Sequence, residues 1–141
     1  MATQSTAQAH WEGTLFEGAG SVDLVTSGLG HFDLTWAKRA EAESGGTNPE
    51  ELIAAAHASC YSMALSLALA KNDTPAESID TKAVVGFQPG KGITGSDLSV
   101  VAKVPGLSED EFLRIAEEAK TGCPVSGALS IPITLDAQFV S

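Results

Sequence analysis

The sequence predicts an α+β fold in which a mostly antiparallel sheet packs on one long buried helix. Three observations predict it. Short β-rich segments fill the N-terminal third, and two longer ones return in the middle of the chain. Between them runs "TNPEELIAAAHASCYSMALSLALAK", Thr47 to Lys71, which is apolar nearly all round. The resulting order, β-β-β-α-β-β-α-β, lacks the regular β-α alternation of a parallel sheet. At 141 residues the chain is expected to form a single domain, 1–141, long enough to bury a real core.

The elements follow in order. "AHWEG", "GSVDLVTSG" and "HFDLTWA" alternate in part or are β-rich, and Gly18, Gly20, Gly28 and Gly30 punctuate them as strands joined by turns. Polar "KRAEAESGG" predicts a loop, which would carry Arg39, Glu41 and Glu43 as loop charges. The long helix opens with Asn48 as N-cap candidate, Pro49 in the first turn and Glu51 in the capping-box position. It runs to about Lys71, where "KNDTP" ends it. Apolar on all sides and rich in Ala and Ser, it needs close neighbours all round. A chain this small cannot supply them alone, which predicts a dimer interface.

Beyond it, "IDTKAVVGF" and "SDLSVVAKV" read as strands joined by the Gly-rich turn "QPGKGITG". "SEDEFLRIAEEAKTG" reads as a second helix, with Ser108 as N-cap, Glu111 in the capping box and acids in the first turn. Its apolar face is Phe112, Ile115, Ala116 and Ala119, Gly122 is its stop, and Arg114 is a surface ion-pair partner for nearby acids. "CPVSGALS" and a final strand, "IPITLDAQFV", complete the chain.

Composition narrows the function classes. The residues are 43% hydrophobic and 18% charged, with a net charge of −10 and no basic block. Nucleic acid and anionic membrane surfaces are therefore not expected partners, since both need clustered Lys and Arg. No uninterrupted apolar run reaches the ~18–20 residues of a membrane span. The N-terminus has neither a basic start nor an apolar segment, so the expected location is the cytoplasm. There, two cysteines are too few for a secreted disulfide framework, and any bond between them is expected to be transient and chemical.

Those cysteines are the candidate chemistry. Cys60, alone in an apolar helix, reads either as a small core hydrophobe or as a working thiol that needs a cation and an opening to solvent. Cys123 lies between a helix-stopping Gly122 and Pro124, at the expected N-cap of a short helix, where unpaired N–H groups favour thiolate. His57, one turn before Cys60, has three readings: a satisfied core histidine, a base for the thiol, or a metal ligand. Cys60, His57 and Cys123 fall short of the four ligands of structural zinc, and His10 and His31 add no recognisable spacing, so no metal is expected. Arg39 reads as a solvated charge or as the fixed cation of a thiolate, which would need a carboxylate to hold its guanidinium, and Glu50 in the helix's first turn is a candidate.

"GTNPEELIAAAHASCYSMALSLAL" and "AKTGCPVSGAL" resemble the two signature segments of the OsmC/Ohr family of thiol peroxidases, in order along nearly the whole chain. "QAHWEG" and "SIDTKA" resemble the OsmC branch rather than Ohr. The resemblance implies an OsmC-like fold and an intertwined homodimer with two active sites at the subunit interface. It implies Cys60 as peroxidatic and Cys123 as resolving cysteine, with Arg39 as thiol-activating cation, neighbouring Lys38 as the other candidate, and Glu50 orienting the arginine. It also implies organic hydroperoxide substrates, no prosthetic group, and reduction by an external dithiol such as a lipoylated protein. Antioxidant and stress-response roles go with these.

Chemistry and resemblance then meet. Thiolate attack breaks the O–O bond, Cys60 becomes a sulfenic acid, and Cys123 condenses with it to a disulfide. Ten residues of one helix span about 15 Å. A Glu50 that serves the arginine of a given Cys60 is therefore expected from the other subunit's helix. The rival classes are a thiol-based redox sensor with little turnover and a Cys60–His57 hydrolase, which a buried helix leaves little room to build.

Overall fold

The computed structural model describes residues 2–41 and 45–141, so Glu43 lies outside the described residues. The chain divides into two compact units, 1–50 and 51–141.

The first unit holds a three-stranded antiparallel sheet of β1 (Ala7–Glu12), β2 (Ala19–Leu24) and β3 (His31–Leu34), in that order. Val22 at its centre pairs with both Ala9 and Phe32 and is the residue of this sheet most withdrawn from solvent. The last two residues of the expected strand "HFDLTWA" and the first three of the expected loop instead form a one-turn helix, α1 (Trp36–Ala40). Thr35 caps it by accepting the Lys38 N–H, the local signal that turns the end of a strand into a helical turn. Arg39 therefore sits on a helix. The ring of Trp36 meets that of Phe16 edge to face at 5.6 Å.

The helix α2 (Pro49–Lys71) begins in the first unit and runs on as the spine of the second. By length and composition alone it could cross a membrane. In the fold, one face enters a core: His57, Tyr61, Leu65 and Leu69, four residues apart each time, are all fully buried. The remaining faces are not enclosed within the single chain, where Met63 and Leu67 are 71% and 56% exposed. The hydroxyls of Ser59 and Ser62 turn back onto the carbonyls of Ala55 and Ala58, which lets a serine-rich helix stay apolar outside.

The second unit's sheet has the order β4-β5-β6, with β4 (Ser78–Gln88) and β5 (Gly92–Lys103) antiparallel. Gly90 and Gly92, both at positive φ, make the tight turn between them. The last strand, β6 (Ile133–Val140), pairs with β5 in parallel. The sheet content is thus mostly, not wholly, antiparallel. The parallel pairing needs a crossover, which α3 (Glu109–Gly122) and α4 (Pro124–Ala128) supply.

Helix α3 forms as its sequence predicts. Ser108 accepts the Glu111 N–H, three acids occupy the first turn, and Phe112, Ile115, Ala116 and Ala119 are buried. Arg114 pairs with Glu118 at 2.9 Å across one turn of the exposed side. Against the inner face lie Leu98, Val100 and Ala102 of β5 and the buried residues of α2, with Phe139 tilted against Phe112 at 5.3 Å.

Candidate active site

Two clusters carry the chemistry-bearing residues, one in each unit. In the first, the Arg39 guanidinium donates through Nε to Glu50 Oε1 at 3.1 Å and through Nη2 to Oε2 at 3.0 Å. This bidentate fork fixes the plane of the guanidinium as well as its position. Glu50 is buried with its side chain 5% exposed, against 32% for Arg39, so the carboxylate anchors and the cation reaches outward. Asn48 adds a brace, its amide donating to the Lys38 carbonyl at 3.1 Å. The expected pairing of Arg39 with Glu50 is present. A cavity of about 300 Å³ beside Arg39 is lined by Trp11, Leu15, Leu34 and Trp36.

In the second cluster, Cys60 Sγ and Cys123 Sγ lie 3.2 Å apart, both as free thiols. A disulfide bond is about 2.05 Å, so condensation needs the sulfurs to close by little more than one ångström. Cys60 projects from the middle of α2 and is half-buried, whereas Cys123 is buried at the N-cap of α4, followed by Pro124 at the first helical position. That placement follows from Gly122 ending α3 and Pro124 starting α4 without needing an N–H. A cleft of about 490 Å³ opens at Cys60, walled by Met63, Ala64, Leu67, Ala68, Ala119 and Pro124.

The two thiols share their charge unequally. Burial pushes the Cys60 thiol up, with the Val125 N–H pulling the other way and the neighbouring Cys123 adding to the rise. Burial also opposes ionisation of Cys123. It is outweighed by the Ser126 N–H, the Cys60 thiol, the Ser126 hydroxyl and the Val125 N–H, so this thiol is held below its ordinary value. Within residues 51–141 ionisation is therefore easier at Cys123 than at Cys60. The physical reason is the company each sulfur keeps. Cys123 stands at the start of α4, while among the described residues the cation lining the Cys60 cleft is Lys71, at the far end of α2.

His57 resolves among its three readings. Fully buried, it places Nδ1 2.7 Å from Ser96 Oγ and Nε2 2.8 Å from Ser126 Oγ. Burial lowers its pKa, so the ring is neutral with both nitrogens engaged by hydroxyls. It is a satisfied core histidine. No group of three or more His, Cys, Asp or Glu among the described residues could hold a metal ion. Ser96 and Ser126 were not singled out from sequence. Ser126 had one legible cue, its place three residues after an N-cap cysteine, where a helix N-terminus turns its donors toward the cap.

Residues 41–137 match the family described as OsmC-like protein. The chain belongs to the OsmC family. It is 44% identical over 144 residues to the Peroxiredoxin OsmC of Escherichia coli (strain K12), with 100% of both chains covered. It is 34% identical over 99 residues to an organic hydroperoxide resistance protein of Xanthomonas axonopodis pv. citri, covering 67% of this chain and 68% of that one. A crystal structure of an organic hydroperoxide resistance protein OsmC from Legionella pneumophila superposes with a TM-score of 0.70 at 25% identity, covering 100% of this chain and 99% of that one. The α+β fold, with its sheets and long helix, is thus the OsmC-like fold. With its two cysteines in contact, this OsmC-family chain is a thiol-dependent peroxidase working through a cysteine pair.

Proposed function

We propose that the chain, acting as one OsmC-like domain in a homodimer, reduces organic hydroperoxides to alcohols and is reset by an external dithiol. The observation that carries this reading is the 3.2 Å contact between Cys60 and Cys123 at the head of α4. The Cys60 thiolate attacks the peroxide oxygen in line. The S–O bond forms as the O–O bond breaks, and the alkoxide leaves and is protonated to the alcohol. The Cys123 thiolate then attacks the Cys60 sulfenic sulfur, forming the S–S bond and expelling hydroxide, which takes a proton to become water. Exchange with a dithiol, a lipoylated protein being the expected class, returns both thiols and leaves the reductant as its own disulfide.

The dimer enters because neither unit holds a complete site. In the second unit burial disfavours ionisation of Cys60, and the first holds a pre-aligned Arg39 fork on a buried carboxylate. A guanidinium brought to Cys60 would draw the charge onto that sulfur and stabilise the departing alkoxide. Glu50 and Cys60 lie about 15 Å apart along one helix, so the arginine serving each Cys60 comes from the second copy. The uncovered apolar face of α2, with Met63 and Leu67, supports the same arrangement. The apolar cleft at Cys60 favours a substrate with an organic body, because burying an alkyl or aryl group adds binding free energy that hydrogen peroxide lacks. A net charge of −10 with no basic block fits a role with no nucleic acid involved, in the cytoplasm.

The test is consumption of cumene hydroperoxide and of hydrogen peroxide with dihydrolipoamide as reductant. Wild type is expected to prefer the organic peroxide, Cys60→Ser to lose turnover, and Cys123→Ser to accumulate oxidised Cys60 without the intramolecular disulfide. Equal rates on both peroxides would refute the substrate reading. Reversible disulfide formation with negligible turnover would favour a redox sensor instead.

A further inference from the structure

Both tryptophans of the chain, Trp11 and Trp36, line the cavity of about 300 Å³ beside Arg39, which is built wholly within the first unit. The sheet register explains how one of these walls is set. Trp11 of β1, Gly20 of β2 and Leu34 of β3 stand in one row across the sheet. The glycine in the middle of that row lets the Trp11 indole come down onto the neighbouring strand. A Cβ at Gly20 would stand 2.7 Å from Trp11 Cε3, and one at Gly18 would stand 2.9 Å from Trp11 Nε1, both too close for a side chain. The indole N–H donates to the Gly13 carbonyl at 3.2 Å, which fixes the ring in that position. Trp36 is held separately, by its edge-to-face contact with Phe16 at 5.6 Å. Each aromatic wall thus has its own support within residues 1–50.

We propose that Trp11 and Trp36 are specificity-determining residues, which receive the organic group of the hydroperoxide and favour an aryl group over a saturated one. Arg39 lines the same cavity and is the charged residue among its described walls. In the proposed reaction its guanidinium, held by Glu50, meets the departing alkoxide, so the body of that substrate lies within reach of both indoles. Two other polar side chains of the cavity are engaged by the backbone of α1. Thr35 Oγ1 accepts the Lys38 N–H, and the Asn48 amide donates to the Lys38 carbonyl. Most of the remaining surface is apolar and aromatic, with Leu15 and Leu34 beside the indoles.

An aryl ring stacks offset or edge-on against an indole and gains an attraction that a saturated ring of similar size lacks. A volume of about 300 Å³ suits one substituted ring rather than a long chain, since small-molecule sites run from about 300 to 1,000 Å³. The Cys60 cleft differs in having no aromatic residue among its described walls, so it favours apolar area of any kind. Selection between one apolar group and another therefore falls to the Arg39 cavity. The inference rests on the peroxidase reading and on Arg39 serving the substrate.

Two measurements test it. The first is binding of product alcohols to the reduced native protein, followed by tryptophan fluorescence, which reports on this cavity because both indoles of the chain line it. Cumyl alcohol is expected to give a saturable change at about threefold lower concentration than its ring-saturated analogue. Equal midpoints, or no saturable change, overturn the proposal. The second is the ratio of kcat/KM for cumene hydroperoxide to that for its ring-saturated analogue. Trp11→Leu and Trp36→Leu are each expected to lower this ratio about twofold or more, through KM, whereas Trp11→Phe and Trp36→Phe keep most of it. A merely structural role would slow both substrates together, and a ratio unmoved in both leucine variants overturns the proposal. Should the leucine variants not fold, the alcohol titration of the native protein decides by itself. That titration needs no turnover, whereas peroxide consumption tests the peroxidase reading, so the two can fail separately.

Discussion

Helices α2 and α3 bury residues in one core yet finish their outer surfaces in opposite ways. On α3, Phe112, Ile115, Ala116 and Ala119 face inward, while acids, Arg114 and Lys120 occupy the rest, several of them paired. That is a complete amphipathic helix, and water is the proper neighbour of its outer side. On α2, His57, Tyr61, Leu65 and Leu69 face inward, but Met63 and Leu67 stand outside with no charged residue between Glu51 and Lys71. An outer face of that kind is a surface prepared for another protein surface. Cys60 projects from the helix with the unfinished surface, which in the proposed dimer would tie the reacting thiol to assembly. Helix α3 walls the Cys60 cleft, through Glu118, Ala119 and Gly122.

The contrast can be broken most directly by placing a charge on each outer face. Leu67→Glu on α2 is expected to dissociate the dimer in sedimentation and abolish most peroxidase activity, since burying an unpaired carboxylate costs several kcal/mol. Leu113→Glu on α3, at a leucine 41% exposed, is expected to leave both unchanged. If both variants stay dimeric, the two helices do not differ as described. Next in size is the inner face of α3. Phe112→Ala, which empties a fully buried site packed on Phe139, is expected to cost about 3–5 kcal/mol in denaturant unfolding without altering the assembly of the folded fraction.

Acid should then separate the two inner faces, because the titratable group lies on α2. His57 is held neutral by burial, its pKa below the ordinary 6.5. The unfolded chain binds a proton at this residue that the folded chain refuses, so stability is full above about pH 6.5 and falls as pH drops below it. Thermal melts from pH 7 to 5 should show that loss, and His57→Gln should flatten it. A slope unchanged by the substitution would assign the acid sensitivity elsewhere. Smallest are the solvent-side features of α3. Ser108→Ala is expected to cost about 1 kcal/mol through the lost cap, and Arg114→Ala less than about 0.5 kcal/mol, since exposed pairs contribute little.

The sequence announced α3 in full because its cap, acids, apolar period and stop glycine are all local signals. Cys123 was legible as an N-cap for the same reason, with a glycine before it and a proline after. Three features were not. Helix α1 is one turn long, and its Thr35 cap stands where strand-like residues give way to a polar run, so periodicity has too few residues to register. The parallel pairing of β6 depends on the path of the crossover through α3 and α4, which the composition of the strand does not encode. The Ser96–His57–Ser126 line joins residues 39 and 69 positions from the histidine, and no spacing rule links them. The site was legible to the extent that its parts carry charge or sulfur. Glu50 and Arg39 could be named as a pair, but their 3.0 Å contact is set by how α1 and the start of α2 meet.

The central claim, that the Arg39 fork of one subunit serves Cys60 of the other, has a direct test in mixed dimers. Arg39→Ala and Cys60→Ser homodimers, each inactive alone, are mixed, unfolded, refolded together and assayed for cumene hydroperoxide consumption. In a two-fold dimer with shared sites, half the refolded dimers hold one intact site, so about a quarter of wild-type activity should return. If each subunit built its own site no heterodimer could hold a complete one, and a mixture as inactive as its parents would contradict the account.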